Sequence, residues 1–491
     1  MHNLKSIRLT TLIAPPLGFI LLWRSREIPL KQKLIGTVGI ILFSLVYAAC
    51  IIAILVQFFG MSLEWRGGFP PVPTWNKTVP NFAAVEADRA RKKSLAKTNS
   101  VSAKTNSASW TDFRGPNRDG RYDEKTIFTN WPANGLRELW RQPVGGGYAS
   151  FTVAEGKAFT IEQRREEEAV TAYDIQTGAE LWSHHYNAHF DESMGGEGPR
   201  ATPTYHNGKI YSLGAMGDLR CLESSFGKLI WKRDIIADAH APILTYGMSS
   251  SPLIVDDKVI VQAGGRNYSV IAYDKENGKP HWHSLDDEAA YSSPMLVELA
   301  GDRQLLIVTE HRAVGLNPEN GKLLWSFPWI VKLQNRNIAQ SVLISTNRFF
   351  LSAGYGTGCA AIEIYKTKDS FTARAVWQNK NLKNKFTSSV FHDGFLYGLD
   401  EDILVCLDAT TGERKWKDGR YGYGQVLLAS GHLVILSGEG QLALVKATPE
   451  KHIELARFQA IHGKTWNHPA ISDGKIFVRN AVEMACFEIA R

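Results

Sequence analysis

AYDIQTGAELW, residues 172–182, is a phrase that this chain repeats. CLESSFGKLIW from Cys221, AYDKENGKPHW from Ala272, GLNPENGKLLW from Gly315 and CLDATTGERKW from Cys406 keep its plan: a small residue first, a glycine seventh, a tryptophan last. A catalytic motif is needed once, so recurrence marks a building rule. With Trp140 of LRELW and Trp377 of ARAVW added, the tryptophans at 140, 182, 231, 282, 325, 377 and 416 fall 39 to 52 residues apart. That is the length of one four-stranded propeller blade.

Each position of the phrase has a physical reading. The Asp or Asn at the third position bonds the backbone of the turn that follows, and the glycine takes a left-handed conformation at no steric cost. The small first residue suits a strand packed closely between neighbouring blades, and the tryptophan buries a large flat surface there. Within one repeat, Lys385 to Trp416, the strands SSVFH, FLYGLD, LVCLD and ERKW alternate with turns. Asn207-Gly208, Asp393-Gly394 and Asp473-Gly474 occupy one slot of successive repeats and are the residue pairs that two-residue hairpins require.

Seven complete repeats run from about Ala149 to Phe458, and HPAISDGKIFVRNAVEMACFEIA then supplies three strands. The fourth is available in LRELWRQ near Trp140, which would close the ring by pairing the two ends of the domain. The expectation is an all-β, eight-bladed β-propeller without a free edge, over residues 110–491.

Residues 1–109 carry 14 Lys and Arg against 4 Asp and Glu, whereas the remainder carries 42 against 45. The propeller is therefore no basic, nucleic-acid-seeking surface. From Leu34 to Phe59 there is no charge for 26 residues, more than a membrane-crossing helix needs. Residues 34–60 are expected to be a transmembrane helix, retained as an anchor because no small-residue cleavage site follows it. The run TLIAPPLGFILLW, residues 11–23, is shorter and broken by Pro15-Pro16, and reads as interfacial or re-entrant within a segment 1–33. Arg24, Arg26, Lys31 and Lys33 beside the span favour the cytoplasmic side, which places the propeller outside, in the periplasm. Residues 61–109, with AKTNS at Ala96 and again at Ala103, read as an extracytoplasmic, solvated tether. The five cysteines make neither a disulfide framework nor a zinc site, and Cys221, Cys406 and Cys486 sit at the small first position of the repeat.

The repeated A-x-D-x-x-T-G-x-x-x-W pattern resembles the pyrroloquinoline quinone (PQQ) propeller repeat of the quinoprotein alcohol dehydrogenases and of the lipoprotein propeller that assists outer-membrane protein assembly. WTDFRGPNRDGRY and GEGPRATPTYHNGKIYSLGAMGDLRCLE are similar to stretches of membrane-anchored bacterial PQQ-like repeat proteins. The resemblance implies the fold. For the dehydrogenases it implies PQQ with Ca²⁺, a catalytic Asp, an Arg near the quinone and often two adjacent cysteines. This chain has no adjacent cysteines, no CxxCH haem site and no segment that aligns with the Asp and Ca²⁺-ligand motifs, so no metal site is assigned.

Single-copy residues at the channel mouth are where function would sit, because loops leading into the innermost strands line it. There the lead-ins place Glu197, Arg200, Tyr246, Tyr291, Asn337, Lys385, Tyr423, Trp466 and His468, with Arg200 and Trp466 foremost. Aromatic rings and cations so placed can clasp a planar or anionic ligand, or simply plug the channel. HHYNAHFDE, with His184, His185, His189, Asp191 and Glu192, and the run Asp400-Glu401-Asp402 read as polar loops rather than metal sites, and Arg164–Ala169 as a self-compensating charged tip. Two functions follow: a membrane-anchored binding or scaffolding module for an envelope protein or small ligand, or a PQQ-dependent alcohol or sugar dehydrogenase passing electrons to a quinone.

Overall fold

The computed structural model describes residues 4–68, 70–75, 79–96, 108–331, 337–368 and 370–491. Two compact units result, Met1–Lys77 and Thr78–Arg491. In the first, the helices Leu4–Ile13 and Pro15–Arg24 meet at the proline pair, and a third helix, Leu30–Phe59, is long and apolar enough to cross a membrane. It starts four residues before the uncharged run because Pro29, which lacks an N–H, is tolerated as its N-terminal neighbour, and it stops at Gly60 in the left-handed conformation.

The second unit is an eight-bladed β-propeller. Blades 2 to 6 are four consecutive antiparallel strands each; blade 4, for example, comprises Met295–Leu299, Asp302–Val308, Arg312–Leu316 and Leu323–Pro328. Blade 8 takes Ala470–Ser472, Lys475–Arg479 and Glu483–Glu488 from the end of the chain and Glu138–Pro143 from before blade 1, with Cys486 opposite Trp140. Ring closure is as the strand count requires. Buried Arg479 reinforces it by donating from blade 8 to Thr160 Oγ1 (2.7 Å) and the Gly145 carbonyl (2.9 Å).

The repeat phrase holds adjacent blades together through its tryptophan and its glycine. Indole N–H groups of Trp140, Trp182, Trp231, Trp377 and Trp416 donate at 2.9–3.0 Å to a turn carbonyl of the next blade: Ile175, Ser224, Lys275, Ala409 and Thr448. The ring lies over the next blade's glycine, so a Cβ at Gly178 would fall 2.6 Å from Trp140 and one at Gly321 2.5 Å from Trp282. Strand register explains the small first residue, since Ala172, Ala272, Cys221 and Cys406 lie directly opposite the tryptophan of their own blade. The third residue works as expected: Asp174 Oδ1 accepts from the backbone N–H groups of Gln176 (3.0 Å) and Thr177 (2.8 Å).

Trp325 is the exception. Blade 5 has no glycine turn for it to cover, and its indole donates instead to Gln304 of its own blade at 2.6 Å.

The segment read as a tether differs from expectation. Residues 82–96 form a helix, Phe82–Ala96, against blades 1 and 8. Its Arg89 reaches Glu180 (3.1 Å), the Pro143 carbonyl (2.9 Å) and Tyr173 (3.1 Å), Val85 is buried, and Glu86 pairs with Arg165 at 2.7 Å. Docking by charge leaves little apolar periodicity in the sequence, which is why composition reads as solvated. The second AKTNS copy lies outside the described residues.

Candidate functional site

Each innermost strand runs from the channel mouth to a hairpin turn on the opposite face, so the lead-in loops bring single-copy residues together at the mouth. Trp466 stacks on Tyr148 (centroids 5.4 Å apart, planes 24°) and leans on Phe386 at 4.8 Å; Phe386 in turn meets Tyr423 at 5.5 Å. Lys464 lies 4.5 Å over the Trp466 ring, and Lys385 sits about equally between Tyr355 (5.0 Å) and Tyr423 (4.9 Å) with Glu401 at 3.7 Å. Across the mouth Tyr246 and Tyr291 pair at 5.9 Å. Burial lowers the Lys385 pKa, and it raises that of Tyr423 to about 12, so the Tyr423 phenol is neutral near pH 7.

A cap spans these groups. Residues 193–196 are held by Lys464, which donates to the carbonyls of Met194 (3.2 Å) and Gly195 (3.1 Å), by the Tyr148 hydroxyl on the Gly195 carbonyl, and by the Tyr246 hydroxyl on Met194 Sδ (3.3 Å). Arg200 is the strut of this cap. Its guanidinium donates to the Gly196 carbonyl (2.6 Å) and the Gly198 carbonyl, faces Glu192 at 3.5 Å and lies over the rings of Phe190 (4.7 Å) and Tyr148 (5.5 Å). Arg200, expected to clasp a ligand, has its guanidinium engaged by the loop, as a buried guanidinium seeks carbonyls.

Three other expected mouth residues are placed differently. Glu197 pairs with His189 at 3.6 Å. Asn337 is 2 % exposed and its amide donates to the carbonyls of Thr309 (2.9 Å), Glu310 (3.0 Å) and Trp329 (3.2 Å), closing the blade 4 loops. His468 lies inside the channel, 3.2 Å from Arg114 and edge-on to Phe113; burial first and Arg114 second hold its pKa well below the usual histidine value, so it is neutral.

Arg114 belongs to a plug that the sequence did not disclose. WTDFRGPNRDGRY crosses the channel from blade 1, where Trp110 pairs with Val153, to blade 7, where Arg121–Tyr122 pairs in parallel with Leu428 and Ala429. Buried Arg118 sits near the axis: it donates to the carbonyls of Ser251 (3.0 Å), Pro294 (2.9 Å) and Pro252, and pairs with Asp112 at 2.9 Å. Arg114 similarly bonds the Ser389 carbonyl at 2.8 Å. Two unpaired-looking arginines in a Gly-containing loop were the available signal, but their partners lie far away in sequence.

The remaining polar clusters are divided among separate partners. His185 faces Glu167 (3.0 Å), His189 faces Glu166 (3.3 Å), and Glu192 accepts from the backbone of its own loop. Asp400 is buried between Lys383 and Lys417, and Asp402 pairs with Arg420. Arg164–Ala169 is more than a charged tip: Arg164 reaches inward to buried Glu162 at 2.6 Å, and Glu168 is buried against the Tyr186 hydroxyl (2.5 Å) and the Ala215 N–H (2.9 Å). Burial raises the Glu168 pKa to about 7.

The stacked Tyr148 and Trp466 rings leave no slot for a planar cofactor such as PQQ between them. Among the described residues, no group of three or more His, Cys, Asp and Glu is gathered to hold a metal. A planar ring sandwiched between two others needs them about 7 Å apart. The Tyr148–Trp466 stack is closed at 5.4 Å.

Fold and mouth together define an eight-bladed propeller with a plugged channel and an aromatic, lysine-bearing face. The family model described as outer membrane protein assembly factor BamB matches residues 166–418, more than half of the chain, and the chain belongs to that family of PQQ-like repeat propellers. Among solved structures it is similar to BamB from Moraxella catarrhalis (TM-score 0.52, 15 % identity, 72 % of this chain and 98 % of that one). It is also similar to the quinohemoprotein alcohol dehydrogenase of Comamonas testosteroni (TM-score 0.56, 13 % identity, 83 % and 84 %). By sequence, 121 residues are 31 % identical to the dehydrogenase subunit of a quinone alcohol dehydrogenase from Komagataeibacter europaeus, covering 23 % of this chain and 16 % of that protein. The match thus spans less than a fifth of that relative.

Proposed function

We propose that this chain is a membrane-anchored, extracytoplasmic binding module whose channel mouth holds an envelope protein or small ligand. The observation that carries this is the set of six partly buried rings on one face, Tyr148, Tyr246, Tyr291, Phe386, Tyr423 and Trp466, with Lys385 and buried Lys464 among them. Rigid aromatics with a few cations are the residues that carry interface affinity. Membership of the BamB family supports an envelope protein as the partner, and the apolar helix Leu30–Phe59 behind a basic segment supports anchoring with the propeller outside. The likeness to quinone alcohol dehydrogenases keeps a second reading, PQQ-dependent oxidation, in view, and the poor fit of the mouth to the cofactor weighs against it.

The test is a photo-crosslinking amino acid in place of Tyr423, at the mouth, or of Lys415, on an outer strand, in the full chain in cells. A discrete adduct with one envelope protein from position 423, reduced severalfold by Trp466→Ala and missing from position 415, is expected. Equal labelling from both positions would refute the proposal.

A further inference from the structure

The face opposite the mouth contains a cavity of about 640 Å³. It lies between the plug, whose Asp112, Arg118, Asp119 and Arg121 line it, and the innermost strands of blades 2 to 6, with Ile254, Leu296 and Leu343 against it and Glu298 at its wall.

Strand register shows what these innermost strands offer. In an antiparallel hairpin the closing pair exchanges both backbone bonds, and alternate residues turn their N–H and C=O away. Blade 2 closes at His206↔Lys209, so Tyr205 turns its N–H to the channel, where it is bonded to the Thr111 carbonyl of the plug at 2.8 Å. Blade 7 behaves likewise: Leu428 N–H donates to the Gly120 carbonyl at 2.8 Å. Val153 of blade 1 pairs with Trp110, and the Phe391 carbonyl of blade 6 accepts from Arg121 at 3.2 Å. The plug therefore occupies the inner edges of blades 1, 2, 6 and 7.

Blade 4 closes at Leu299↔Asp302, which turns the backbone groups of Leu296 and Glu298 toward the channel; blade 3 closes at Val255↔Lys258 and does the same with Ile254. Met295–Leu299 is the channel-side edge strand of its sheet, with no strand of the described residues beyond it. These edges face the cavity.

We propose that this cavity is a second binding site, which takes an extended polypeptide segment of a partner as an added strand along Met295–Leu299. The chain's own plug demonstrates the mode by adding strands to blades 1 and 7. Backbone bonding supplies affinity, and side-chain pockets supply selectivity. The apolar side chains of Ile254, Leu296 and Leu343 call for aliphatic residues; Arg118 is paired with Asp112 and Arg121 with Asp123, which leaves Asp119 and Glu298 to favour a basic residue beside them. The site is on the opposite face from the aromatic mouth and stands whether or not the mouth binds anything.

The probe is a synthetic six-residue peptide alternating valine and threonine between lysine ends, titrated onto the full chain in detergent. Saturable binding is expected, with amide hydrogen exchange at Leu296 and Glu298 slowed about tenfold or more by the peptide and unchanged at the mouth. Leu296→Pro removes one channel-facing N–H without touching the bonds to the neighbouring strand, a place where an edge strand tolerates proline. It is expected to weaken binding about tenfold. Exchange on the unsubstituted protein reads the same edge if that variant misfolds. No binding up to about 1 mM, or binding without protection at Leu296 and Glu298, overturns the proposal.

Discussion

Gly321 and Gly301 lie in the same blade, both at positive φ (+71° and +83°), and a methyl group added to each meets different surroundings. At Gly301 nothing lies within 4 Å, so alanine incurs only the left-handed backbone cost, about 1–2 kcal/mol. At Gly321 the new Cβ would fall 2.5 Å from Trp282 Cε3 and 2.9 Å from Cζ3, both inside contact distance. Trp282 is 9 % exposed and its indole bonds the Pro318 carbonyl at 3.3 Å, so it cannot withdraw without opening the junction between blades 3 and 4. Overpacking of this kind adds about 1–3 kcal/mol. Gly321→Ala is therefore expected to cost about 3–4 kcal/mol and Gly301→Ala about half of that. Urea unfolding of the full chain in detergent, followed by tryptophan fluorescence, orders the two midpoints. Equal losses would refute the claim that the repeat glycine exists to seat the preceding blade's tryptophan.

Three further outcomes are expected. Arg118→Met leaves Asp112 and the Ser251, Pro252 and Pro294 carbonyls without their donor, at a cost of about 3–5 kcal/mol, and limited proteolysis should then cut within 111–122; resistance equal to the parent protein would contradict the plug. Glu162→Ala leaves Arg164 without the carboxylate that lies 2.6 Å from it and frees the Gly145 N–H, and the thermal midpoint should drop by an amount that corresponds to about 3–5 kcal/mol; a drop no larger than at an exposed glutamate such as Glu413 would count against the buried ion cluster. Burial raises the Glu168 pKa from the ordinary 4.5 to about 7, so the folded state holds that proton more tightly than the unfolded chain; this contribution is present below about pH 4.5 and lost as the pH rises to about 7, a change of about 3 kcal/mol. Glu168→Gln should flatten the stability profile over that window relative to the parent, and parallel profiles would contradict it.

The ring was legible because its determinants are local and repeated: tryptophan, glycine and Asx turn lie within eleven residues of one another, and each copy confirms the others. Closure of blade 8 by the strand around Trp140 followed from counting strands. The plug was not legible, since Arg118 finds its carbonyl partners 133 to 176 residues away and WTDFRGPNRDGRY has no alternation to reveal two short strands. The helix Phe82–Ala96 was hidden for a related reason: it docks through Arg89 rather than an apolar stripe. At the mouth the aromatics Tyr246, Tyr291, Tyr423 and Trp466 were found by their place in the lead-in loops. Phe386 and Lys464 stand beside Lys385 and Trp466 in sequence, Tyr148 is the one ring of the lead-in GGYAS, and all three become distinct only when the rings stack. His468 was misplaced by one layer, since a lead-in residue can point to the mouth or down the channel and sequence does not distinguish the two.

The proposed binding role of the mouth and quinone-dependent oxidation there lead to opposite outcomes in one titration. Calorimetric titration of the full chain in detergent with PQQ and Ca²⁺, followed by a dye-reduction assay on alcohols and sugars, separates them most directly. No saturable heat at high micromolar PQQ and no dye reduction are expected of a binding mouth; stoichiometric binding with substrate-dependent dye reduction, lost on Trp466→Ala, would overturn that reading.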